Sequence, residues 1–180
     1  MADTHSSSVS SDHAAVRRNR TLALTVAAIV FALDQLTKWI VITPLRLQQQ
    51  GVIDLLPFFD LRWVENRGVS MGFLTASSDT ARWMLVAMTA AIATGVLFWL
   101  WREKVRGDSL ALSLVLGGAL GNILDRIRYG YVADFLDLHI GEFRPFLIFN
   151  VADAAISIGV LLLVLRALFV REKKSPREEV

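Results

Sequence analysis

The sequence has no cysteine, which removes disulfides, thiolate nucleophiles and cysteine-ligated metals together. Histidine is scarce as well. His5, His13 and His139 are scattered, and two of them lie in a polar tail, so no metal centre is expected. The charge is almost balanced, with 19 basic residues against 17 acidic ones, so a net charge of +2 gives no reason to expect a nucleic-acid partner. Apolar residues dominate instead. They make up 54% of the 180 residues, and the mean hydropathy is +0.47. That is too apolar for an ordinary soluble domain and points to a membrane protein.

Four apolar segments follow one another. Residues 1–20 are rich in Ser, Asp and His and end in Arg17-Arg18-Asn19-Arg20, which reads as a disordered tail with a basic flank. Leu22 to Ile42 is the first span, roughly 31 Å long at helical rise and too long for a signal-peptide core. Trp83 to Trp101 is the second, with tryptophans at both ends where interfacial rings settle. Ser109 to Ile127 is the third, and its Gly117 and Gly121 have the spacing that permits close helix packing. Phe146 to Val170 is the fourth, followed by the tail 172–180. The expected fold is therefore an all-α polytopic membrane protein of four transmembrane helices over residues 21–171.

Between the first two spans, Phe59-Asp60-Leu61-Arg62-Trp63-Val64 alternates as a half-buried strand does. Asn66-Arg67-Gly68 reads as a turn, and Val69 to Phe73 as a returning strand. This predicts a small β-sheet in the first outer loop. Basic clusters before span one, between spans two and three (Arg102, Lys104, Arg106) and after span four fall on one side. The positive-inside rule makes that side cytoplasmic and puts both termini inside.

The polar residues of the spans lie in one layer. Counted from the outer end of its span, Asp34 is roughly 12 Å deep, Asp153 roughly 10 Å and Asn122 roughly 8 Å by helical rise. The inner halves are nearly unbroken apolar sequence. Ionisable groups at such depth usually face the bundle or a wet cavity and mark a site. Asp34 and Lys38 are four apart and share a helix face, as do Asn122 and Arg126; Asn150 and Asp153 are three apart and also share one. Asp153 has no basic residue within a turn on its own helix, so another element or a proton must settle its charge. Asp134, just beyond span three, is a candidate partner, with Asp125 and Asp137 as rivals. Two carboxyls held close share one proton across neutral pH. One then activates water while the other protonates the scissile amide, as in aspartic proteases. A proton relay or channel would need polar residues through the full depth, which the dry inner halves do not supply. A scaffold that uses the same residues only as interhelical glue is the other reading.

Four blocks then resemble one known family. Asp34-Gln35-Leu36-Thr37-Lys38 resembles its D-Q-x-x-K block, and Asn66-Arg67-Gly68 its N-x-G block. Gly121-Asn122-Ile123-Leu124-Asp125-Arg126, running into Val132-Ala133-Asp134-Phe135, resembles its G-N-x-x-D-R block. Phe149-Asn150-Val151-Ala152-Asp153 resembles its F-N-x-A-D block. The family is lipoprotein signal peptidase, or signal peptidase II, and the likeness runs over nearly all of residues 22–170. It implies an aspartic endopeptidase of the bacterial inner membrane with its site near the outer leaflet, needing neither metal nor cofactor. The implied substrates are prolipoproteins carrying a diacylglyceryl cysteine, cut just before that cysteine, with membrane lipid as the other partner and a monomer as the working form. The resemblance makes Asp134 and Asp153 the catalytic dyad. It makes Asp34, Lys38, Asn66, Gly68, Asn122, Arg126 and Asn150 residues that bind substrate or shape the site, and the outer sheet a surface-lying cradle. The chain departs from the family pattern at Gly68-Val69-Ser70-Met71-Gly72-Phe73, where Gly-Ala-Ala-Phe is frequent. It departs again at Asp153-Ala154, where Asp-Ser is common.

Overall fold

A computed structural model describes residues 3–68 and 79–169, with side chains from residue 16 onward. In chain order the elements are α1 (Asp3–Ile42), α2 (Leu47–Gln50), β1 (Val52–Leu56), β2 (Phe59–Asn66), α3 (Asp79–Arg102), α4 (Arg106–Tyr129), β3 (Val132–Leu138) and α5 (Val151–Phe169). Four helical stretches are long and apolar enough to cross a bilayer: Val16–Ile42, Asp79–Arg102, Arg106–Tyr129 and Val151–Phe169. Their length and composition make the chain a multi-pass membrane protein.

Each helix ends where its sequence tells it to. Residues 3–42 contain neither Gly nor Pro, and Pro44 then stops the helix. Helical backbone therefore continues out of the first span to Asp3, where the composition alone suggested a disordered tail. At the end of α4, Gly130 takes the left-handed conformation (φ 83°) and its N–H bonds to the Arg126 carbonyl. The fourth span begins later than the hydropathy suggests, at Val151 and not Phe146. Phe149 pairs instead with Leu136 of β3 as an isolated bridge, so the apolar run 146–149 approaches the helix as extended chain. Asp153 consequently lies in the first turn of α5 and not seven residues inside a helix.

α4 is the central helix. Its glycines set how closely the neighbours come. A Cβ on Gly117 would lie 2.5 Å from the Ala27 carbonyl oxygen of α1, and one on Gly118 would lie 2.5 Å from the Ala152 carbonyl oxygen of α5. Backbones at that separation leave room only for hydrogen. At one end of the bundle, Asn19 donates to the Lys104 carbonyl (3.3 Å), the Arg20 guanidinium lies 5.0 Å from the Trp101 ring centre, and Arg166 pairs with Asp108 (2.5 Å).

The sheet occupies the opposite end. It is antiparallel with order β1-β2-β3, and Val64 of β2 lies opposite Asp134 of β3. The sheet is thus not confined to the first connecting segment, because its third strand comes from the segment that follows α4. Val69–Phe73, expected as the returning strand, lies outside the described residues, as does the tail 172–180. The sheet packs over the end of α1 through Val41, Leu47, Leu61 and Phe135, with Trp63 and Leu136 against them.

Gly118→Ala should therefore push α4 and α5 apart just beneath Asp153. The expected cost is about 1–3 kcal/mol, an overpacking penalty without any gain in burial. Thermal unfolding in detergent measures it, and an unchanged midpoint would show that the two backbones have room to spare.

Candidate active site

The start of α5 sets the geometry. Asn150 precedes the first helical residue, and its Oδ1 accepts the N–H of Asp153 at 2.9 Å. Asp153 Oδ2 returns the bond by accepting the N–H of Asn150 at 3.3 Å. This is a capping box built from Asn and Asp, in which two backbone donors that a helix start leaves unpaired satisfy each other's side chains. Asp153 Oδ1 takes a third bond, from Asn122 Nδ2 of α4 at 2.8 Å. All of these bonds sit at the positive end of the α5 dipole, a setting that favours an anion.

Asp134 meets the same asparagine from the strand. Its Oδ1 accepts Asn150 Nδ2 at 2.6 Å, and its Oδ2 accepts Asn66 Nδ2 of β2 at 3.0 Å. One residue therefore links the two aspartates: the Asn150 amide nitrogen donates to the Asp134 carboxyl, its amide oxygen accepts the Asp153 N–H, and its own backbone N–H donates to the Asp153 carboxyl. Asp134 is only 2% exposed. Burial first, and then the negative charge of Asp153, push its carboxyl from the ordinary 3.8 up to about 6. The bonds from Asn66 and Asn150 and the charge of Lys38 pull the other way without cancelling that rise.

Behind this pair lies a second layer of charge. Lys38, 2% exposed, reaches Asp34 Oδ2 at 2.8 Å, Asp125 Oδ2 at 2.7 Å and Asn122 Oδ1 at 3.2 Å. Each carboxylate on Lys38 also holds a backbone N–H. Asp34 Oδ1 accepts that of Ala152 at 3.0 Å, and Asp125 Oδ2 accepts that of Ala133 at 3.2 Å. Ala152 immediately precedes Asp153, and Ala133 immediately precedes Asp134. The lysine thus ties together the backbone supports of both carboxyls. Gln35 adds bonds to Asp34 Oδ2 (3.2 Å) and Asp125 Oδ1 (3.0 Å). Gly121 is what lets Asp34 lie against α4, since a Cβ there would collide with Asp34 Oδ2.

Arg126 faces Asp153, Asp134 and Asp125 electrostatically. Its Nε is buried without a hydrogen-bond partner among the described residues. Asn66 also accepts the Gly68 N–H at 3.0 Å, closing a turn in which Gly68 adopts φ 94°, a conformation disfavoured for any side chain. The structure thus draws Asp34, Lys38, Asn66, Asn122, Arg126, Asp134, Asn150 and Asp153 into one cluster, with Gly68 beside it. The two rival carboxyls are committed to other partners. Asp125 is committed to Lys38 and Ala133. Asp137 is buried and binds Arg62 (2.9 Å) and Arg144 (3.1 Å), whose bonds outweigh burial and hold its carboxyl below the usual range. Among the described residues, no group of three or more His, Asp or Glu is arranged to hold a metal ion. Sequence reasoning overlooked Gln35 as a member of the cluster, although its place between Asp34 and Lys38 was a signal within reach.

Four membrane-length helices with two aspartates held by one asparagine at the sheet end have the architecture of a polytopic membrane enzyme. Comparison with known proteins agrees. The family profile described as Signal peptidase (SPase) II matches residues 26–169. The lipoprotein signal peptidase of Rhizorhabdus wittichii is 65% identical over 162 residues, covering 90% of this chain and 94% of that protein. The lipoprotein signal peptidase of Sphingopyxis alaskensis is 60% identical over 150 residues, covering 83% and 87%. A bacterial membrane enzyme solved by the in meso method at 2.3 Å resolution superposes with a TM-score of 0.73 at 28% identity, covering 89% of this chain and 95% of that one. The chain belongs to the signal peptidase II family, whose members remove signal peptides from lipoproteins, and it is a multi-pass membrane peptidase.

The raised carboxyl of Asp134 makes stability depend on pH. The folded protein binds this proton more tightly than the unfolded chain does. The stabilising contribution is therefore complete below about 4 and is lost as pH rises through about 6. The displacement corresponds to an ionised folded state penalised by on the order of 3 kcal/mol. Asp134→Asn should therefore melt several degrees above the wild type at pH 8 and lose that advantage by pH 4. Parallel melts in detergent at the two pH values test this, and a variant destabilised equally at both would refute it.

Proposed function

We propose that the chain is an aspartic endopeptidase that removes the signal peptide from diacylglyceryl-modified prolipoproteins, cutting just before the lipidated cysteine, with Asp134 and Asp153 as its dyad. The observation that carries this reading is the single residue Asn150, whose side chain holds the Asp134 carboxyl and whose backbone N–H holds the Asp153 carboxyl, with Asp134 pushed up to about 6. A pair of neighbouring carboxyls, one buried and one half-buried, that holds one proton is equipped for amide hydrolysis without any further group.

The roles divide by environment. Asp153, at the positive end of α5 and accepting two hydrogen bonds, from the Asn150 N–H and from Asn122 Nδ2, is the base. It takes a proton from water as the water oxygen bonds to the scissile carbonyl carbon. Asp134, enclosed on β3, holds the proton and delivers it to the amide nitrogen as the carbon–nitrogen bond breaks. The products are a carboxyl terminus on the signal peptide and a free amino group on the lipidated cysteine. Arg126 places a fixed positive charge beside the reacting groups, where the tetrahedral intermediate gathers negative charge. Asn66, Asn122 and Asn150 fix the two carboxyls and leave little rotational freedom to be lost at the reaction.

The placement suits the substrate. The site lies at the sheet end of the bundle, and the basic residues Arg17, Arg18, Arg20, Arg102, Lys104 and Arg106 flank the other end. Under the positive-inside rule that other end is cytoplasmic, with both termini, and the dyad lies toward the outer leaflet of the bacterial inner membrane. A lipidated precursor arriving in the plane of the bilayer would present its scissile bond at that level. We take the monomer as the working unit, because every group named here comes from one chain.

A gel-shift assay on a purified diacylated prolipoprotein tests the reading. The wild type should cleave it, while Asp134→Asn and Asp153→Asn, inserted and folded, should fall by at least a thousandfold; full activity in either variant would sink the dyad. The pH profile is the second test. The general acid must be protonated, so kcat/KM should decline on the alkaline side with a midpoint near 6, the value at which Asp134 gives up its proton in the free enzyme. A profile flat from pH 5 to 9 would contradict the assignment of the acid.

A further inference from the structure

The α4–β3 turn carries Arg126 at its start and leads to Asp134 four residues beyond Gly130, yet the helix end is held by a residue outside all four sequence blocks. Arg82 of α3 donates from Nε to the Arg126 carbonyl at 2.8 Å and from an Nη to the Ile127 carbonyl at 2.5 Å. These carbonyls belong to the last turn of α4, where helix ends leave acceptors unpaired and where a cation is favoured by the dipole. The guanidinium also lies 5.2 Å from the Trp83 ring centre, and Asp79 is 3.9 Å away. The Arg82 stem runs beside Gly130, whose own N–H shares the Arg126 carbonyl, so one side chain braces the whole helix-to-strand turn.

The same face of α3 reaches the other side of the site. Leu85, three residues on from Arg82, occupies the space where a Cβ of Gly68 would fall, and Gly68 closes the turn that aims Asn66 at Asp134. Among the described residues, α3 is not seen to hydrogen-bond the side chains clustered around Asp134. Through Arg82 and Leu85 it nonetheless touches the two backbone turns that bring Asn66 and Asp134 together.

We propose that Arg82 is a positioning residue of the peptidase: its two-pronged bond to the Arg126 and Ile127 carbonyls fixes the α4–β3 turn against α3 and thereby sets the Arg126 guanidinium and the Asn66–Asp134 hydrogen bond. The inference rests on the proposed dyad for its kinetic consequence, though not for its structural one. The fork is specific to arginine, since a lysine reaches one carbonyl as a point donor and leaves the other unpaired.

The groups facing Asp134 are Asn66 on β2, Lys38 on α1, Asn122 and Arg126 on α4, and Asn150 and Asp153 on α5. Loosening the turn weakens the Asn66 bond, which lowers the titration of Asp134, and draws away the positive charge of Arg126. Both changes favour the protonated carboxyl, so the alkaline limb of kcat/KM moves upward.

Three variants, Arg82→Ala, Arg82→Met and Arg82→Lys, would be compared with wild type in detergent after a melt confirms folding. Two readouts are taken: hydrogen exchange over residues 127–134 and the pH profile of prolipoprotein cleavage. Ala and Met should speed exchange in that segment, lower kcat about tenfold to a hundredfold with little change in KM, and shift the alkaline limb upward. Lys should fall between them and wild type in all three. Unchanged exchange in folded Ala and Met variants overturns the clamp, whatever the kinetics. Faster exchange together with an unmoved limb and Lys no better than Met overturns the positioning role. Should the wild type itself fail to cleave, the dyad reading falls, while the exchange result still decides the clamp. If Ala and Met do not fold, Lys carries the test, because wild-type exchange and kinetics in Lys would show that the fork is not required.

Discussion

The ammonium of Lys38 sits between two carboxylates, and most of the site depends on that contact. It lies 2.8 Å from Asp34 and 2.7 Å from Asp125, almost fully enclosed. One lysine against two carboxylates does not reach neutrality, and buried charge is tolerated only where hydrogen bonds share the load. Here the load is shared by the backbone. Asp34 takes the N–H of Ala152 and Asp125 that of Ala133, one from a helix start and one from a strand. The ion cluster therefore does more than neutralise itself. It fixes, through two peptide groups, how far apart the next residue on each element is held, and those residues are Asp153 and Asp134.

The surrounding layers follow from this constraint. The glycine face of α4 exists because three partners must come within backbone contact: α1 at Gly117, α5 at Gly118, and the Asp34 side chain at Gly121. The sheet recruits a strand from beyond α4 because Asp134 needs a rigid element opposite β2, where Asn66 is available. α5 starts late because Asn150 is needed as a cap and not as a helical residue. Each departure from the simplest hydropathy reading thus serves the placement of one of the two carboxyls.

Much of this was legible in the amino-acid order. The four spans follow from apolar run length, and the Asp34–Lys38 and Asn122–Arg126 faces follow from helical spacing. Three things were not. β3 was passed over because Val132, Ala133, Phe135, Leu136 and Leu138 do not alternate; a strand covered on both faces loses the period-two signal. A hydropathy average sees Phe146 to Phe149 as membrane-like and so puts the start of α5 five residues early. The Asn150-x-x-Asp153 spacing is a cap signature and was the better guide. The choice among Asp125, Asp134 and Asp137 could not be made from spacing, because it depends on which carboxyl the tertiary fold spends on Lys38 and which on Arg62 and Arg144. Residues 3–20 carry helical backbone although a composition rich in Ser and Asp argues for disorder, because the lack of Gly and Pro leaves nothing to break the helix.

The joint role of Asn150 also bears on biosynthesis. A membrane chain is made and inserted from its N-terminus, and every residue of the cluster except Asn150 and Asp153 precedes the fourth span. A copy still being made holds Asp134, Lys38 and the asparagines of α4 and β2, but it has neither the second carboxyl nor the residue that links the pair. With Asp134 and Asp153 as the proposed dyad, the cut-competent arrangement closes only when the last helix enters and its first turn forms. On the proposed dyad, a chain whose own insertion is incomplete is inactive.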